Sequence, residues 1–337
     1  MDIGLIGFGG VGQAFIRLVY EKNNYLLEKY NLKVNIKYII NSSGGIYDNK
    51  GIDLKDLINY LDNDGLLKTY KSWDKITIDD ILKNKDIETI VELTHTNIIN
   101  GEPGLTHIEK ALSNKINVVT GNKGPILLAH KRLNKIAQEN GVSLMVGCTT
   151  GGALPSINGG IIELAGSKIK LIEGILNGTT NYILTEMLEN NISYEEALKD
   201  AQRIGIAEKD PTLDVEGYDT AIKTIILANT ILDTNLSLKD IEVEGITTID
   251  KEEMLRVRSS DKKLKLIGII IRNENNDVTA KVKLCEIHKE HPLYYVDGKN
   301  KGITYNTDSL GDISIVGGAS GTLNAAASIL RDLINMK

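Results

Sequence analysis

A glycine-rich segment near the N-terminus most constrains how this 337-residue chain can fold. An apolar run of strand length, residues 2–8, leads into the sequence GFGGVG at residues 7–12. Residues 11–19 then place apolar side chains on one face of a helix, and a β-rich run follows at 34–40. Strand, glycine turn, helix and strand in this order are the context in which G-x-G-x-x-G binds a dinucleotide. We predict that Gly7 permits the tight turn, Gly9 lets a pyrophosphate approach, and Gly12 allows close helix packing.

The same alternation of strands and helices continues to residue 146. It predicts strands over 87–93, 116–120 and 142–146, with helices over 105–112 and 126–139. Consecutive strand–helix–strand units indicate an α/β fold with a Rossmann-type, doubly wound parallel sheet. Ligands of such sheets bind beyond the carboxyl ends of the strands. Two of these ends are polar, at Thr94–Asn97 and Thr120–Lys123. Lys123 could hold an anionic group or a reacting oxygen there, or it could be a solvated loop lysine; we interpret His95 as a polar loop residue.

The end of the second strand bears on the choice of nucleotide. An NAD-specific site usually has Asp or Glu there to bind the ribose hydroxyls. This chain has Asn41, Ser42 and Ser43, so no carboxylate would repel a 2′-phosphate and two hydroxyls could bind one. We favour NADP, with NAD or dual use left open, and an ordinary polar loop is the alternative.

A second region begins after residue 146, where the alternation stops. Its most polar segment, residues 207–223, leads into a helix that carries Asp219 and Lys223 one turn apart on the same face. A lysine held by a carboxylate in apolar surroundings can donate a proton in a fixed direction. On spacing alone we would favour an ordinary helix salt bridge. Upstream, residues 174–183 are typical of a strand ending in a turn, where Thr179 or Thr180 could cap the next helix.

Composition excludes several other classes. Lys plus Arg number 39 against 45 for Asp plus Glu, and this net charge of -6 argues against a nucleic-acid partner. No apolar run approaches the roughly 18 residues of a membrane span. Two cysteines, Cys148 and Cys285, make neither a disulfide framework nor a zinc site. The first residues do not resemble a signal peptide, so we expect a cytoplasmic protein without a membrane partner.

Taken together, these motifs resemble the homoserine dehydrogenase family, from residue 2 to about residue 332. Residues 174–187 (GILNGTTNYILTEM) and 205–223 (GIAEKDPTLDVEGYDTAIK) are similar to two long, specific family signatures. Residues 118–123 (VVTGNK) and 318–321 (GASG) are similar to shorter elements, and residues 101–108 to a form found in single-function members. The resemblance implies interconversion of L-homoserine and L-aspartate 4-semialdehyde with NADP or NAD, in threonine, methionine and isoleucine biosynthesis.

The resemblance also implies roles for individual residues. Lys223 would donate the proton to the semialdehyde oxygen, oriented by Asp219, and Lys123 would lie between nicotinamide and substrate. Glu208 would bind the substrate ammonium. The other expected substrate-binding residues are Asp214, Asp219, Gly178 and Thr179. The expected cofactor-binding residues are Gly7, Phe8, Gly9, Gly10, Val11, Gly12, Ser42, Ser43, Thr94, Lys123 and Ser320.

One departure from the family pattern concerns a metal ion. The family often has a glutamate where this chain has Gly147, and that glutamate helps to hold a monovalent cation. Only backbone carbonyls around Thr150, Gly152 and Leu154 then remain, so a sodium site is left open. A chain ending at Lys337 is also expected to lack a C-terminal regulatory domain of the ACT type.

The expected architecture has three regions. Residues 1–146 and 313–337 would form the dinucleotide-binding domain, and residues 157–261 the catalytic, homoserine-binding domain. Residues 262–312 alternate apolar and polar positions, which predicts antiparallel strands. With residues 147–156 they would complete an α+β region, and the family resemblance implies that it builds a homodimer interface. Two alternatives are another NAD(P)-linked dehydrogenase of an amino or semialdehyde acid, and a nucleotide-binding sensor without catalysis.

Overall fold

The computed structural model describes residues 1–318 and 320–337. Its strands are β1 (Asp2–Ile6), β2 (Asn35–Asn41), β3 (Gly44–Tyr47), β4 (Trp73–Asp74), β5 (Thr89–Glu92), β6 (Asn117–Thr120), β7 (Leu144–Met145), β8 (Ile169–Ile175), β9 (Ile241–Val243), β10 (Lys262–Arg272), β11 (Val278–His288), β12 (Lys301–Thr307) and β13 (Asp312–Gly317). Its helices are α1 (Gly10–Tyr30), α2 (Leu54–Asp62), α3 (Ile78–Asn84), α4 (Gly104–Ser113), α5 (Lys123–Asn140), α6 (Cys148–Gly151), α7 (Ser156–Asn158), α8 (Gly178–Asn190), α9 (Tyr194–Arg203), α10 (Thr212–Val215), α11 (Tyr218–Ile231), α12 (Lys251–Ser259) and α13 (Thr322–Asn335). The chain divides into two compact units, Met1–Thr149 with Gly321–Lys337, and Thr150–Ser320.

The first unit is built on a seven-stranded sheet in the order β4-β3-β2-β1-β5-β6-β7. Strands β2, β1, β5, β6 and β7 are parallel, and β3 and β4 add an antiparallel edge. Strand β1 is buried on both faces because helices cover a parallel sheet on each side. One of these helices, α1, shares a core with α13 through Phe15 and Ile329, both 0% exposed. The predicted doubly wound α/β sheet is confirmed.

The second unit is built on a six-stranded sheet in the order β13-β12-β8-β10-β11-β9. Its strand pairs are antiparallel apart from β11 with β9. Helix α11 covers one face so closely that a Cβ at Gly268 would lie 2.1 Å from Thr224 Oγ1. A larger residue at this position on β10 would displace the Thr224 side chain. The predicted α+β region is confirmed.

The structure shifts several expected boundaries. We expected residues 313–337 in the nucleotide-binding domain, but β13 pairs with β12 in the second unit, and the chain returns to the first unit at Gly321. Residues 147–149 belong to the first unit rather than to a dimerisation region. Strand β8, from the expected catalytic domain, lies between β12 and β10. The expected catalytic and dimerisation regions therefore share one sheet.

Among the helices of the described chain, none combines the length and apolar character that crossing a membrane requires.

Candidate active site

The glycine turn has the close contacts that its sequence predicts. Gly7 has φ +98°, and an added Cβ would lie 2.5 Å from the carbonyl of Leu93. A Cβ on Gly12 would lie 2.6 Å from the Gly7 oxygen, so the first turn of α1 packs directly on the preceding turn. Gly9, the N-cap of α1, is exposed and has space for a ligand beside it. Backbone N–H groups and the positive end of the helix dipole therefore point to an open site suited to phosphates.

A cavity of about 770 Å³ lies beside this turn within the first unit. Six predicted cofactor residues line it: Gly7, Phe8, Gly9, Ser42, Ser43 and Thr94. The other predicted cofactor residues at this turn do not line the cavity. They form the first turn of α1, behind Gly9, and are Gly10, Val11 and Gly12. The cavity wall also includes Lys75, Thr77 and His107, which the sequence did not single out, and His95, which we interpreted as a loop residue.

Glu92 organises the polar residues at the end of β5, and sequence reasoning missed it. Its side chain is 0% exposed. The carboxylate accepts hydrogen bonds from the Thr94 N–H (3.1 Å), the Thr94 hydroxyl and the Thr120 hydroxyl (3.2 Å). His107 Nδ1 lies 3.7 Å from the same carboxylate. Glu92 thus ties the end of β6 and a wall residue of the cavity to the end of β5.

Asn122 extends this network to Lys123. Its side-chain amide donates to Thr94 Oγ1 (3.2 Å), and its side-chain oxygen accepts from the Gly124 N–H (3.1 Å). Asn122 is therefore the N-cap of α5, and Lys123 is the first residue of that helix. The prediction that this helix begins at residue 126 was wrong. Lys123 is oriented by a capped helix start rather than by a loose loop.

In the second unit, Asp219 and Lys223 form the predicted pair on one face of α11. Lys223 Nζ lies 2.5 Å from Asp219 Oδ2 and also donates to the Leu176 carbonyl at 2.8 Å. The two side chains are 15% and 12% exposed. A partly buried ion pair with a second acceptor holds its ammonium in one direction, unlike an exposed helix pair.

Asn177 connects this pair to a second carboxylate. Its amide donates to Asp214 Oδ1 at 2.6 Å and to Asp219 Oδ2 at 2.8 Å. Its oxygen accepts from the Thr180 N–H at 2.9 Å, so Asn177 is the N-cap of α8. The prediction that Thr179 or Thr180 caps this helix was wrong. One buried asparagine thus fixes the start of α8 and the spacing of two acidic side chains.

The remaining predicted substrate residues lie around the start of α8. Thr179 Oγ1 donates to the Ile206 carbonyl at 3.1 Å, which ties the segment before Glu208 to the helix. A Cβ on Gly178 would lie 2.8 Å from the Lys299 carbonyl. Glu208 itself is exposed. Nearby, hydrogen bonds from the Thr212 hydroxyl and N–H keep the pKa of Asp210 below its usual value.

Two further expectations concern the remaining cofactor residue and the metal. Ser320 is exposed at the end of the second unit, and Ala319, within the predicted turn 318–321, lies outside the described residues. Over residues 1–318 and 320–337, no group of three or more His, Cys, Asp and Glu side chains could hold a metal ion.

The fold and these sites define the class of the protein. A glycine turn at a helix N-terminus beside a cavity suits nucleotide binding in Rossmann-type units, and an oriented lysine–carboxylate pair can give a proton to a carbonyl. The protein is an NAD(P)-dependent oxidoreductase that acts on a CH–OH group.

Comparison with known proteins gives the family. The homoserine dehydrogenase family model matches residues 155–334, and the model for the homoserine dehydrogenase NAD-binding domain matches residues 7–147. The chain belongs to the homoserine dehydrogenase family.

Individual relatives agree with this assignment. A homoserine dehydrogenase of Methanocaldococcus jannaschii is 38% identical over 100% of this chain and 98% of its own length. An NAD(+)-dependent homoserine dehydrogenase of Pseudomonas canavaninivorans is 31% identical over 99% of this chain and 95% of its own length. The crystal structure of S. aureus homoserine dehydrogenase at pH 7.5 matches with a TM-score of 0.78 and 30% identity, over 99% of this chain and 75% of that one.

Proposed function

We propose that this protein interconverts L-homoserine and L-aspartate 4-semialdehyde, with Lys223 as the proton-transferring residue. The observation that carries the proposal is the Lys223 ammonium held by Asp219 and the Leu176 carbonyl, next to a second carboxylate that Asn177 fixes. An aldehyde that is reduced needs a proton donor, and an amino-acid substrate needs carboxylates for its ammonium.

The proposed reduction balances as aldehyde plus NAD(P)H plus one proton giving alcohol plus NAD(P)⁺. The bound nicotinamide supplies the hydride, which adds to the aldehyde carbon. The Lys223 ammonium stabilises the negative charge that develops on the aldehyde oxygen and gives that oxygen a proton. In the reverse direction neutral Lys223 takes the hydroxyl proton. Asp219 keeps Nζ directed in both cases.

Substrate binding uses the acidic residues around α8. Glu208 and Asp214 are proposed to bind the substrate ammonium, because charge-assisted hydrogen bonds recognise a small cation better than apolar contacts do. Gly178 and Thr179 would line the pocket at the start of α8, and Lys123 would lie between nicotinamide and substrate.

NADP is the proposed preferred nucleotide. Ser42, Ser43 and Lys75 line the cavity beside the glycine turn, so two hydroxyls and an ammonium can meet a 2′-phosphate. Asn41 Oδ1 accepts from the Ser43 N–H (2.9 Å) and hydroxyl (2.8 Å), which holds this turn in shape. The amide at the end of β2 carries no charge that would repel the phosphate.

In its cellular setting, the protein is proposed to act in the cytoplasm, as a homodimer, in threonine, methionine and isoleucine biosynthesis. The reaction supports the pathway, since homoserine precedes these amino acids. Exposed apolar residues on the second unit's sheet support the dimer.

The test is an absorbance assay of the purified protein with aspartate semialdehyde and NADPH or NADH. We expect turnover, with kcat/KM higher for NADPH. Turnover only with another semialdehyde acid would favour a related dehydrogenase. Nucleotide binding without turnover of any such substrate would favour the sensor.

A further inference from the structure

His107, on helix α4, has no part in the proposed function, although its ring lines the cavity beside the glycine turn. The side chain is 16% exposed. Its Nδ1 atom is buried and has no hydrogen-bond partner among the residues that the structure describes. A buried polar nitrogen without a hydrogen bond lowers the stability of the fold, so a compensating interaction is expected.

The buried Nδ1 atom lies near a buried carboxylate. Glu92 Oε1 is 3.7 Å away, beyond hydrogen-bonding distance, and the Glu92 side chain is 0% exposed. The hydroxyl and N–H groups that bond to this carboxylate, from Thr94 and Thr120, are neutral. A buried carboxylate is costly unless a positive charge lies nearby, and a protonated His107 ring supplies that charge.

The rest of the His107 ring is the part that can reach a ligand. Because Nδ1 is buried, the exposed part of the side chain, which contributes to the cavity wall, is the remainder of the ring with Nε2. A protonated imidazole donates from both nitrogens. It can therefore turn one N–H to Glu92 and the other to a ligand in the cavity.

The charge of the cavity wall suits an anion. The wall contains Lys75, His95 and His107, and among the described residues that line it none is Asp or Glu. Phosphate oxygens accept charge-assisted hydrogen bonds, which are stronger than those between neutral groups. A phosphate group of the nucleotide is therefore the ligand that this wall favours.

The Glu92–His107 pair lies next to the glycine turn, where a pyrophosphate is expected. The Thr94 N–H donates to Glu92, and a Cβ on Gly7 would lie 2.6 Å from that same nitrogen. The hydroxyls proposed to bind a 2′-phosphate follow strand β2, which lies on the other side of β1 from β5. The position of the pair thus favours the pyrophosphate, which NADPH and NADH share.

We propose that His107 binds the nucleotide pyrophosphate as an imidazolium, with Nε2 donating to a phosphate oxygen and Nδ1 turned to Glu92. Glu92 is a positioning residue that holds the ring and balances its charge. This role deepens the proposed function and rests on its nucleotide site. Nucleotide binding is measured without turnover, so failure of the semialdehyde reaction would not affect it.

The first test measures binding of NADPH and NADH to His107→Asn by the change in nucleotide fluorescence. We expect both dissociation constants to rise by roughly tenfold or more, as loss of one hydrogen bond between charged groups implies. His288→Asn, at an exposed histidine of the second unit, is the matched control and should bind as wild type does. Unchanged affinity of a folded His107→Asn would overturn the proposal. A loss for NADPH alone would overturn the pyrophosphate contact, because only NADPH has the 2′-phosphate.

The second test determines whether Glu92 acts through His107. Glu92→Gln keeps the shape of the side chain and removes its charge, and we expect it to weaken binding of both nucleotides several-fold. In the double variant with His107→Asn, the loss should be no larger than in His107→Asn alone, because both changes remove the same contact. Losses that multiply would overturn the positioning role. If Glu92→Gln does not fold, Glu92→Asp, which withdraws the charge from the ring, is measured in its place with the same expectation.

Discussion

The proposed role of Lys223 depends on the direction in which its ammonium is held. Its acceptors are Asp219 Oδ2 at 2.5 Å and the Leu176 carbonyl at 2.8 Å. We expect Lys223→Met to lower kcat by about 10²–10⁴-fold, the usual contribution of a positioned acid or base. The KM for the nucleotide should stay close to wild type. Steady-state kinetics and circular dichroism measure both effects.

The control for this variant is Lys199→Met, at an exposed lysine of α9, which should keep wild-type kinetics. The fold of Lys223→Met should survive because Asp219 keeps its hydrogen bond from Asn177. Near-wild-type turnover by a folded Lys223→Met would rule out the proton-transfer role.

Lys75 tests the nucleotide preference. Its ammonium is the proposed partner of the 2′-phosphate, a group that NADH lacks. We expect Lys75→Met to raise KM for NADPH by roughly tenfold, as loss of one charge-assisted hydrogen bond of about 1.5 kcal/mol implies. KM for NADH should not change. Lys71→Met is the matched control, since Lys71 is 73% exposed and pairs with Asp56. An equal rise for both nucleotides would contradict a phosphate-specific contact.

The sequence predicts the site residues whose hydrogen-bond or ion-pair partners are only a few residues away in the chain. Asp219 and Lys223 are four residues apart, and helical periodicity alone brings them together. Asn177 meets Asp219 from 42 residues away, and Lys223 meets Leu176 from 47. Glu92 in a buried strand likewise resembles an ordinary strand residue until its partner Thr120, 28 residues away, is known. No pattern within a short stretch of sequence predicts hydrogen bonds between residues this far apart.

At the scale of elements, the glycine turn and its flanking strands were predictable because each residue there follows a local rule. Helix α5 shows where such rules mislead. We predicted a start at residue 126, but Pro125 can lie in the first turn of a helix, which needs no N–H from that position, and the helix begins at Lys123. The Asn122 cap adds a second signal that points to the earlier start.

No strand or helix is predicted above for residues 42–86, and they form β3, α2, β4 and α3. Strands β3 and β4 have only four and two residues. Segments this short contain too few residues for an apolar–polar alternation to be recognised. Lys75 follows β4, and no pattern in the sequence places it at the cavity.

A buried lysine on strand β10 of the second unit holds a neighbouring segment in place. Lys265 on β10 is 1% exposed and donates to the Val296 carbonyl (2.6 Å) and to Asp297 (2.9 Å). Burial lowers the pKa of Lys265, although its bond to Asp297 opposes this. Burial would raise the pKa of Asp297, but hydrogen bonds from Lys263 and Lys265 bring it below its usual value. These contacts pin the segment that carries the Lys299 carbonyl against Gly178.

At the scale of the whole molecule, the order of the second sheet could not be read from the chain. Strand β8 begins at residue 169 and lies between β10, which begins at residue 262, and β12, which begins at residue 301. Each pairing requires a particular register between strands that are far apart in the chain. The apolar–polar alternation within one strand does not specify that register. The strand order of the nucleotide-binding sheet is easier to predict, because right-handed crossovers connect neighbouring parallel strands.

The homodimer is the prediction that belongs to this scale. On β10, Gly268 faces α11, so Ile271 faces the opposite side of the sheet, where it is 40% exposed and aligned with Leu171. An exposed apolar position at the end of a strand suits contact with a second copy. We expect the wild-type protein to sediment at twice its 37.0 kDa mass.

Ile271→Glu should weaken that dimer, since a charge buried between two copies lacks a partner. Sedimentation over a dilution series should show dissociation at a concentration at least about tenfold higher than for wild type, the effect of about 1.4 kcal/mol. Leu66→Glu changes a 66% exposed leucine of the first unit and should leave the dimer intact. A wild-type monomer at every concentration would exclude the dimer, and an unchanged Ile271→Glu dimer would place its interface elsewhere.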